Sequence, residues 1–382
     1  MDLPSPAYVI DLGVVRRNCE ILARIKSESG CRIVHALKAF ALPQVFPLLR
    51  RYLDGCCASG LWEARLAREF FGPTVLTCGP AYRENDRDLF ELSSHLDFNS
   101  LNHWGHWREY ALSHPRHLSG ALRFGLRVNP LCSTARTPLY DPCSPGSRLG
   151  VPPDDLPRAD LTGVSGLHFH TLCEQGSDAL AVTLEAVDRH FGSLLGSGQL
   201  QWLNLGGGHL ITDDDYDRDL LLRLIEQCRT RYHLDEVWLE PGEAAVLNAG
   251  SLHARVLDLF QNGETHLAIL DVSATAHMPD VLEMPYRPKV TLDQQTATRE
   301  GAHRYRLGGI TCLSGDVIGD YAFHRPLATG DELVFHDMAH YTMVKTTCFN
   351  GVQHPAIVLR EESGAATIVR QFDYQDFKDR LT

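Results

Sequence analysis

The sequence predicts a parallel α/β barrel followed by an all-β domain. Eight short apolar runs alternate with helical stretches over the first two-thirds of the chain, and the texture changes to short β-like runs after about residue 250. Strands that alternate with helices pair in parallel, and eight is the number that closes a barrel. A doubly wound sheet is the alternative, but no GxGxxG follows the first run, which weakens it.

Taken in order, Ala7–Ile10 (AYVI) is a strand outside the repeating pattern, expected to join the second domain. The eight barrel candidates are Arg32–Lys38, Gly55–Ser59, Thr74–Gly79, His95–Ser100, Phe124–Pro130, Gly166–His170, Trp202–Gly208 and Glu236–Gly242. Leu61–Phe71, Asp178–Phe191 and Asp219–Arg229 carry apolar residues at helical spacing between them. Pro130–Pro157, rich in Pro, Ser and Cys, is expected to be the most mobile loop. Beyond it, His253–Phe260, His266–Val272, His303–Leu307, Glu332–His336 and Ala356–Arg360 read as strands separated by turn residues, and a helical period returns only at Phe372–Leu381. The expected domains are therefore 11–250, a barrel, and 251–382, a β domain joined by the N-terminal strand within 1–10.

With 382 residues, 44% hydrophobic and 22% charged, the chain is long enough for two domains and buries a core without staples. Asp2, Pro4 and Pro6 follow Met1 with no basic start and no apolar run, and no stretch approaches the roughly 18 apolar residues that span a bilayer. A cytoplasmic protein with no membrane partner is expected. The 11 cysteines show no CxxC or paired zinc spacing, so most are read as buried thiols. A net charge of −12 argues against a nucleic-acid partner and is compatible with a cationic substrate.

In a barrel the reactive groups sit at the carboxyl ends of the strands. Lys38 closes the first strand, where a lysine either reaches solvent or forms a Schiff base as a partly desolvated amine. His168 and His170 fall on one face of the sixth, as core histidines, metal ligands or ligand contacts; His170, last in the strand, is the better contact. No third metal ligand stands in a matching frame, so no metal is expected. Gly206, Gly207 and Gly208 after the seventh strand allow close backbone approach, as a tight turn or as a phosphate cradle. Glu240 after the eighth is either a solvated rim charge or the partner of a buried cation such as a protonated pyridine nitrogen. In the second domain, Gly308–Asp316 around Cys312, His340-Tyr341-Thr342 and Phe349-Asn350-Gly351 have loop composition.

Together and in this order, these motifs resemble the fold-type III decarboxylases that use pyridoxal-5′-phosphate (PLP): ornithine, diaminopimelate and carboxynorspermidine decarboxylases. The resemblance runs from Pro6-Ala7-Tyr8 to Phe349-Asn350-Gly351. It implies an alanine racemase-like PLP barrel with a C-terminal β domain. Carried over residue by residue, Lys38 resembles the PLP lysine, His170 the imidazole on the cofactor ring, and Gly206, Gly207 and Gly208 the phosphate loop. Glu240 resembles the partner of the pyridine nitrogen, Tyr341 a phosphate contact, and Arg127 an arginine near the stacking histidine. Cys312 resembles the cysteine that enters from the neighbouring subunit and protonates the carbanion, so a homodimer with shared sites is implied.

The departures bear on the substrate. Ornithine and diaminopimelate decarboxylases usually read Glu-Pro-Gly-Arg after the eighth strand, and here Glu243 replaces the arginine. They carry an aspartate or a glutamate after the cysteine, and here Leu313 stands there. Both changes, with Ala36-Leu37-Lys38-Ala39-Phe40, Ser147-Arg148-Leu149-Gly150 and Cys312–Asp316, are similar to the carboxynorspermidine and carboxyspermidine decarboxylases. The resemblance implies release of CO2 from such a substrate to give norspermidine or spermidine. Candidates for holding its distal amines are Asp280, Glu283 and Asp316, with His277 opening the stretch that holds the first two and Glu243 after the eighth strand; ordinary surface charge is the competing reading. Rival functions are decarboxylation of diaminopimelate or ornithine, a non-catalytic PLP-binding homologue, and a metal-dependent barrel hydrolase built on His168 and His170.

Overall fold

The computed structural model describes residues 3–135 and 137–382; Met1 and Asp2 of the N-terminal segment and Arg136 of the Pro130–Pro157 loop lie outside it. The chain divides into two compact units, Arg16–Ala245 and Met1–Val15 with Val246–Thr382.

The first strand, β1 (Ala7–Asp11), belongs to the second of these. The next eight form a closed parallel barrel: β2 (Arg32–Ala36), β3 (Gly55–Ala58), β4 (Val75–Cys78), β5 (His95–Phe98), β6 (Arg123–Arg127), β7 (Val164–His168), β8 (Trp202–Asn204) and β9 (Glu236–Leu239), with β9 pairing back onto β2. The barrel expectation holds, and the doubly wound alternative falls because the sheet closes. Helices such as Leu61–Phe70, Ser177–Leu195 and Arg218–Tyr232 connect the strands, burying one face each and leaving charged residues outside.

Side chains of alternating direction fill the barrel. Val34, Ala36, Cys57, Leu76, Trp202 and Trp238 form one buried cluster. The Trp202 indole takes the space that side chains at Gly125 and Gly166 would need: a Cβ would lie 2.3 Å from the ring at Gly125 and 2.0 Å at Gly166. Glycine inside a strand here marks close approach of a neighbour. Gly166→Ala is accordingly expected to destabilise the protein by roughly 1–3 kcal/mol or more through overpacking, read as a lower denaturation midpoint at unchanged slope.

The second unit is a 10-stranded sheet. Its main path runs through β10 (Gly250–Asn262), β12 (Val290–Leu292), β13 (Gln295–Thr296), β16 (Glu332–His336), β17 (Ala356–Arg360) and β18 (Ala366–Arg370), with β11 (Thr265–Leu270), β14 (His303–Gly308) and β15 (Val317–Phe323) branching from β10. β1 pairs antiparallel with β10 and parallel with β17. Its Tyr8 packs into the core with Leu252, Leu333 and Phe335, and the buried Tyr8 hydroxyl donates to the His277 carbonyl. Among the described residues no helix is long and apolar enough to cross a membrane.

Candidate active site

Lys38 lies two residues beyond β2, in a turn rather than in the strand. Leu37 N–H donates to Cys57 O at 3.0 Å and Ala39 N–H to Ala36 O at 3.2 Å. His35 Nε2 bonds the Phe40 carbonyl at 2.7 Å, and burial holds this imidazole neutral, with its pKa lowered to about 4. The turn is thus closed on both sides of Lys38, whose Nζ reaches 3.1 Å from His170 Nε2.

His170 likewise stands beyond its strand, which ends at His168. Its Nδ1 accepts the Gly207 N–H at 2.8 Å, which fixes the tautomer of a neutral ring as Nε2–H, and Arg127 Nη2 donates to its carbonyl at 3.3 Å. Burial, then the Lys38 and Arg127 charges, push its pKa well below the usual range. His170 is therefore a neutral ring held by backbone on one edge and facing Lys38 with the other.

The three glycines have a structural reason. Gly206 and Gly208 adopt φ of 74° and 79°. A Cβ at Gly206, Gly207 or Gly208 would lie 2.4, 2.5 or 2.0 Å from the carbonyl oxygens of Phe169, Glu240 and Leu172. Two of the three amides are already used: Gly206 N–H goes to Asn204 Oδ1 at 2.9 Å and Gly207 N–H to His170. The turn therefore offers an incoming anion the Gly208 amide and not all three, a narrower cradle than the glycine run suggests.

Glu240 follows β9 and is buried, so a solvated rim charge is excluded. Asn204 Nδ2 donates to its Oε1 at 2.6 Å, tying the carboxylate to the glycine turn. His168 Nε2 faces its Oε2 at 3.6 Å, and His168 Nδ1 faces Asp97 Oδ2 at 2.9 Å. Asp97, Asn204 and the linking role of His168 escaped the sequence reading. A carboxylate inside the apolar β5 run HLDF was the available signal, because such a charge is buried only with a partner.

Ligand atoms of His168, His170 and Glu240 lie within 4.8 Å of one another, as do those of Cys78, Asp97 and His168. The third metal ligand not found in the sequence is thus supplied by folding. The first group is ill suited to a cation, since the His170 nitrogens are turned to the Gly207 amide and to the Lys38 amine.

The second unit holds the remaining candidates. Cys312 is exposed, and its N–H donates to Asn350 Oδ1 at 2.8 Å. Tyr341 is half-buried at φ 50°, with its ring edge-on to His340. Glu243, in the barrel unit, is half-buried at the start of the single-turn helix Glu243–Val246.

Four of the expected substrate contacts already have partners within the fold. His277 is 0% exposed: Nδ1 accepts the Ser273 N–H, Nε2 meets the Gln353 carbonyl at 3.1 Å, and burial lowers its pKa to about 4. It is a core imidazole. Asp316 is also buried, and it accepts from Ala274 N–H at 2.7 Å, Thr311 N–H at 3.2 Å and the Thr311 hydroxyl at 2.6 Å. It pins the loop that carries Cys312. An amide there would turn a donor toward N–H groups, so Asp316→Asn is expected to cost roughly 1–3 kcal/mol of stability rather than to act on KM alone, as paired melting and kinetic measurements would show. Asp280 and Glu283 share Lys345, at 2.5 Å in the case of Asp280. A substrate ammonium would have to displace that cation.

The chain is similar to known proteins over nearly its whole length. Residues 7–339 match the family model described as pyridoxal-dependent decarboxylase, C-terminal sheet domain. The chain is 46% identical to a carboxyaminopropylagmatine decarboxylase of Synechocystis, over 99% of this chain and 96% of the relative. It is 39% identical to a carboxynorspermidine/carboxyspermidine decarboxylase of Campylobacter jejuni, over 99% and 98%. A crystal structure of carboxynorspermidine decarboxylase from Campylobacter jejuni, complexed with norspermidine, superposes with a TM-score of 0.88 at 37% identity, covering 99% of this chain and 100% of that one.

Proposed function

The chain belongs to the pyridoxal-dependent decarboxylase family, and we propose that it removes the α-carboxylate of carboxynorspermidine or carboxyspermidine, giving norspermidine or spermidine and CO2. The observation that carries this reading is the likeness, in sequence and in fold, to the Campylobacter enzyme over its full length.

The barrel residues fit PLP: an accessible amine at Lys38, a neutral imidazole at His170, a buried carboxylate at Glu240 and a turn closed to side chains at Gly206–Gly208. When bound, PLP supplies an electron sink for the charge left behind by departing CO2. Lys38 would hold the cofactor through its side-chain amine. His170 would lie against the ring, its orientation set by the Gly207 amide and its backbone by Arg127. Glu240 would partner the ring nitrogen, and the Gly208 amide and Tyr341 would each be a phosphate contact. Cys312 of the partner subunit returns a proton to the substrate carbon, so the working unit is a homodimer with shared sites. The setting is cytoplasmic. The net charge of −12 favours approach of a polycationic substrate.

The 46% identity to the Synechocystis enzyme favours a second reading, in which the chain acts on carboxyaminopropylagmatine and so on a guanidinium-ended substrate. CO2 release from a panel of carboxynorspermidine, carboxyspermidine, carboxyaminopropylagmatine, diaminopimelate and ornithine separates the readings. The first two are expected to exceed the last two by about a hundredfold or more in kcat/KM, because the site would leave buried polar groups unpaired with a shorter substrate. Preference for the agmatine derivative would replace the first reading with the second. Preference for diaminopimelate or ornithine would remove both.

A further inference from the structure

Two residues with no part in the chemistry above form a row with Glu240. Strand alternation turns Asp97 inward two residues after His95, and His168 inward two residues after Gly166. The space beside Asp97 is kept by Gly125, where a Cβ would stand 2.3 Å from Asp97 Oδ1. His168 Nδ1 is 2.9 Å from Asp97 Oδ2, and His168 Nε2 is 3.6 Å from Glu240 Oε2. The three side chains are 3–5% exposed. One imidazole therefore stands between two buried carboxylates, one opposite each ring nitrogen. These are ion-pair contacts more than aligned hydrogen bonds: neither ring nitrogen nor Asp97 Oδ1 meets hydrogen-bond geometry with a partner.

Charge decides what such a row does. Two buried carboxylates with only a neutral ring between them repel each other. With the ring protonated, the row carries a single net negative charge. Burial works to strip that proton, but the Glu240 charge first, then Cys78 and Asp97, outweigh it and raise the His168 pKa to about 10.

We propose that Asp97 and His168 are a positioning pair for Glu240: Asp97 keeps His168 charged, and His168 holds one carboxylate oxygen of Glu240 while Asn204 holds the other, so that Glu240 faces the cofactor's ring nitrogen as a carboxylate. This rests on the reading that Glu240 faces that nitrogen. The pair acts through Glu240. A barrel that merely needed a filled interior would be served as well by apolar side chains, since a buried ion pair is weak support for stability.

The test uses reconstituted holoenzymes: the parent, Asp97→Asn, His168→Gln, Glu240→Gln and the double variant Asp97→Asn/Glu240→Gln. Four quantities are measured on each: kcat, KM, the absorption spectrum of bound PLP and the melting temperature. Asp97→Asn and His168→Gln are expected to lower kcat about tenfold or more with KM within about threefold, and to shift the cofactor absorption in the same direction as Glu240→Gln. In the Glu240→Gln background, Asp97→Asn is expected to cost less than about threefold more, because residues acting as one unit are not additive. Parental kcat and spectrum in both single variants, beside an impaired Glu240→Gln, would overturn the proposal and leave the Glu240 reading intact. So would a lowered melting temperature with an unshifted spectrum, or full additivity in the double variant. A parental Glu240→Gln would overturn the underlying reading itself. Asp97→Asn is isosteric and carries the test alone if His168→Gln does not fold.

Discussion

Lys38→Ala is expected to give a folded protein that has lost turnover by on the order of a thousandfold or more, together with the absorption band of lysine-linked PLP. Folding is expected to survive because Lys38 is exposed at the barrel mouth and its turn is held by Leu37, Ala39 and His35, not by its own side chain. No second lysine of the barrel unit can substitute. The chain has five lysines, and only Lys26 and Lys38 fall in Arg16–Ala245. Lys26 is committed to Asp54 at 3.2 Å and to the Tyr52 carbonyl at 2.9 Å. Borohydride reduction of the parent followed by peptide mapping checks the assignment independently of activity. A label on any lysine other than Lys38 would sink it.

How far the sequence could be read follows from where the regular pattern stops. Seven of the eight predicted barrel strands overlap the observed ones but run past their carboxyl ends by one to four residues, and Gly166–His170 is displaced by two. The apolar run goes on through Leu37, Phe169 and Leu205, although the ladder has ended and the chain has turned to present Lys38, His170 and the glycines. The overshoot therefore marks the site. In the β unit, Val317–Phe323 was missed because Gly319 and Asp320 interrupt its apolar pattern, and the three-residue Val290–Leu292 is too short to show one.

Charged residues were read least well, because a partner distant in sequence decides what they do. In the sequence Asp280 and Glu283 are unpartnered acids, and only folding brings them Lys345, 62 residues beyond Glu283. Asp316 follows the cysteine in the chain, yet its oxygens serve Ala274 and Thr311. Asp97 drew no notice at all, since a single acidic residue in a four-residue strand belongs to no motif. What brings it to His168 is barrel closure, a property of eight strands together.

Cys312→Ala carries the second large expected effect. The thiol is exposed in its own chain, on a loop whose path is set by Asp316 and Asn350, so it is free to meet another surface while its backbone stays fixed. A group that returns the proton to the substrate carbon is worth about a hundredfold or more in rate. The variant should lose that much in kcat while PLP affinity stays at the parental value. Protonation at the wrong carbon should also appear, read as release of an aldehyde and pyridoxamine phosphate. Truncating an exposed side chain removes little packing, so the melting temperature should hold within the scatter of surface substitutions. Subunit sharing gives a sharper test. If each site takes its lysine from one chain and its cysteine from the other, mixing Lys38→Ala with Cys312→Ala creates hybrid dimers in which one site is wholly parental. Random exchange of equal amounts should then restore about a quarter of parental activity from two nearly inactive proteins, since half the dimers are hybrids with one good site in two. If mass spectrometry demonstrates exchange and no activity returns, Cys312 does not serve its neighbour's site.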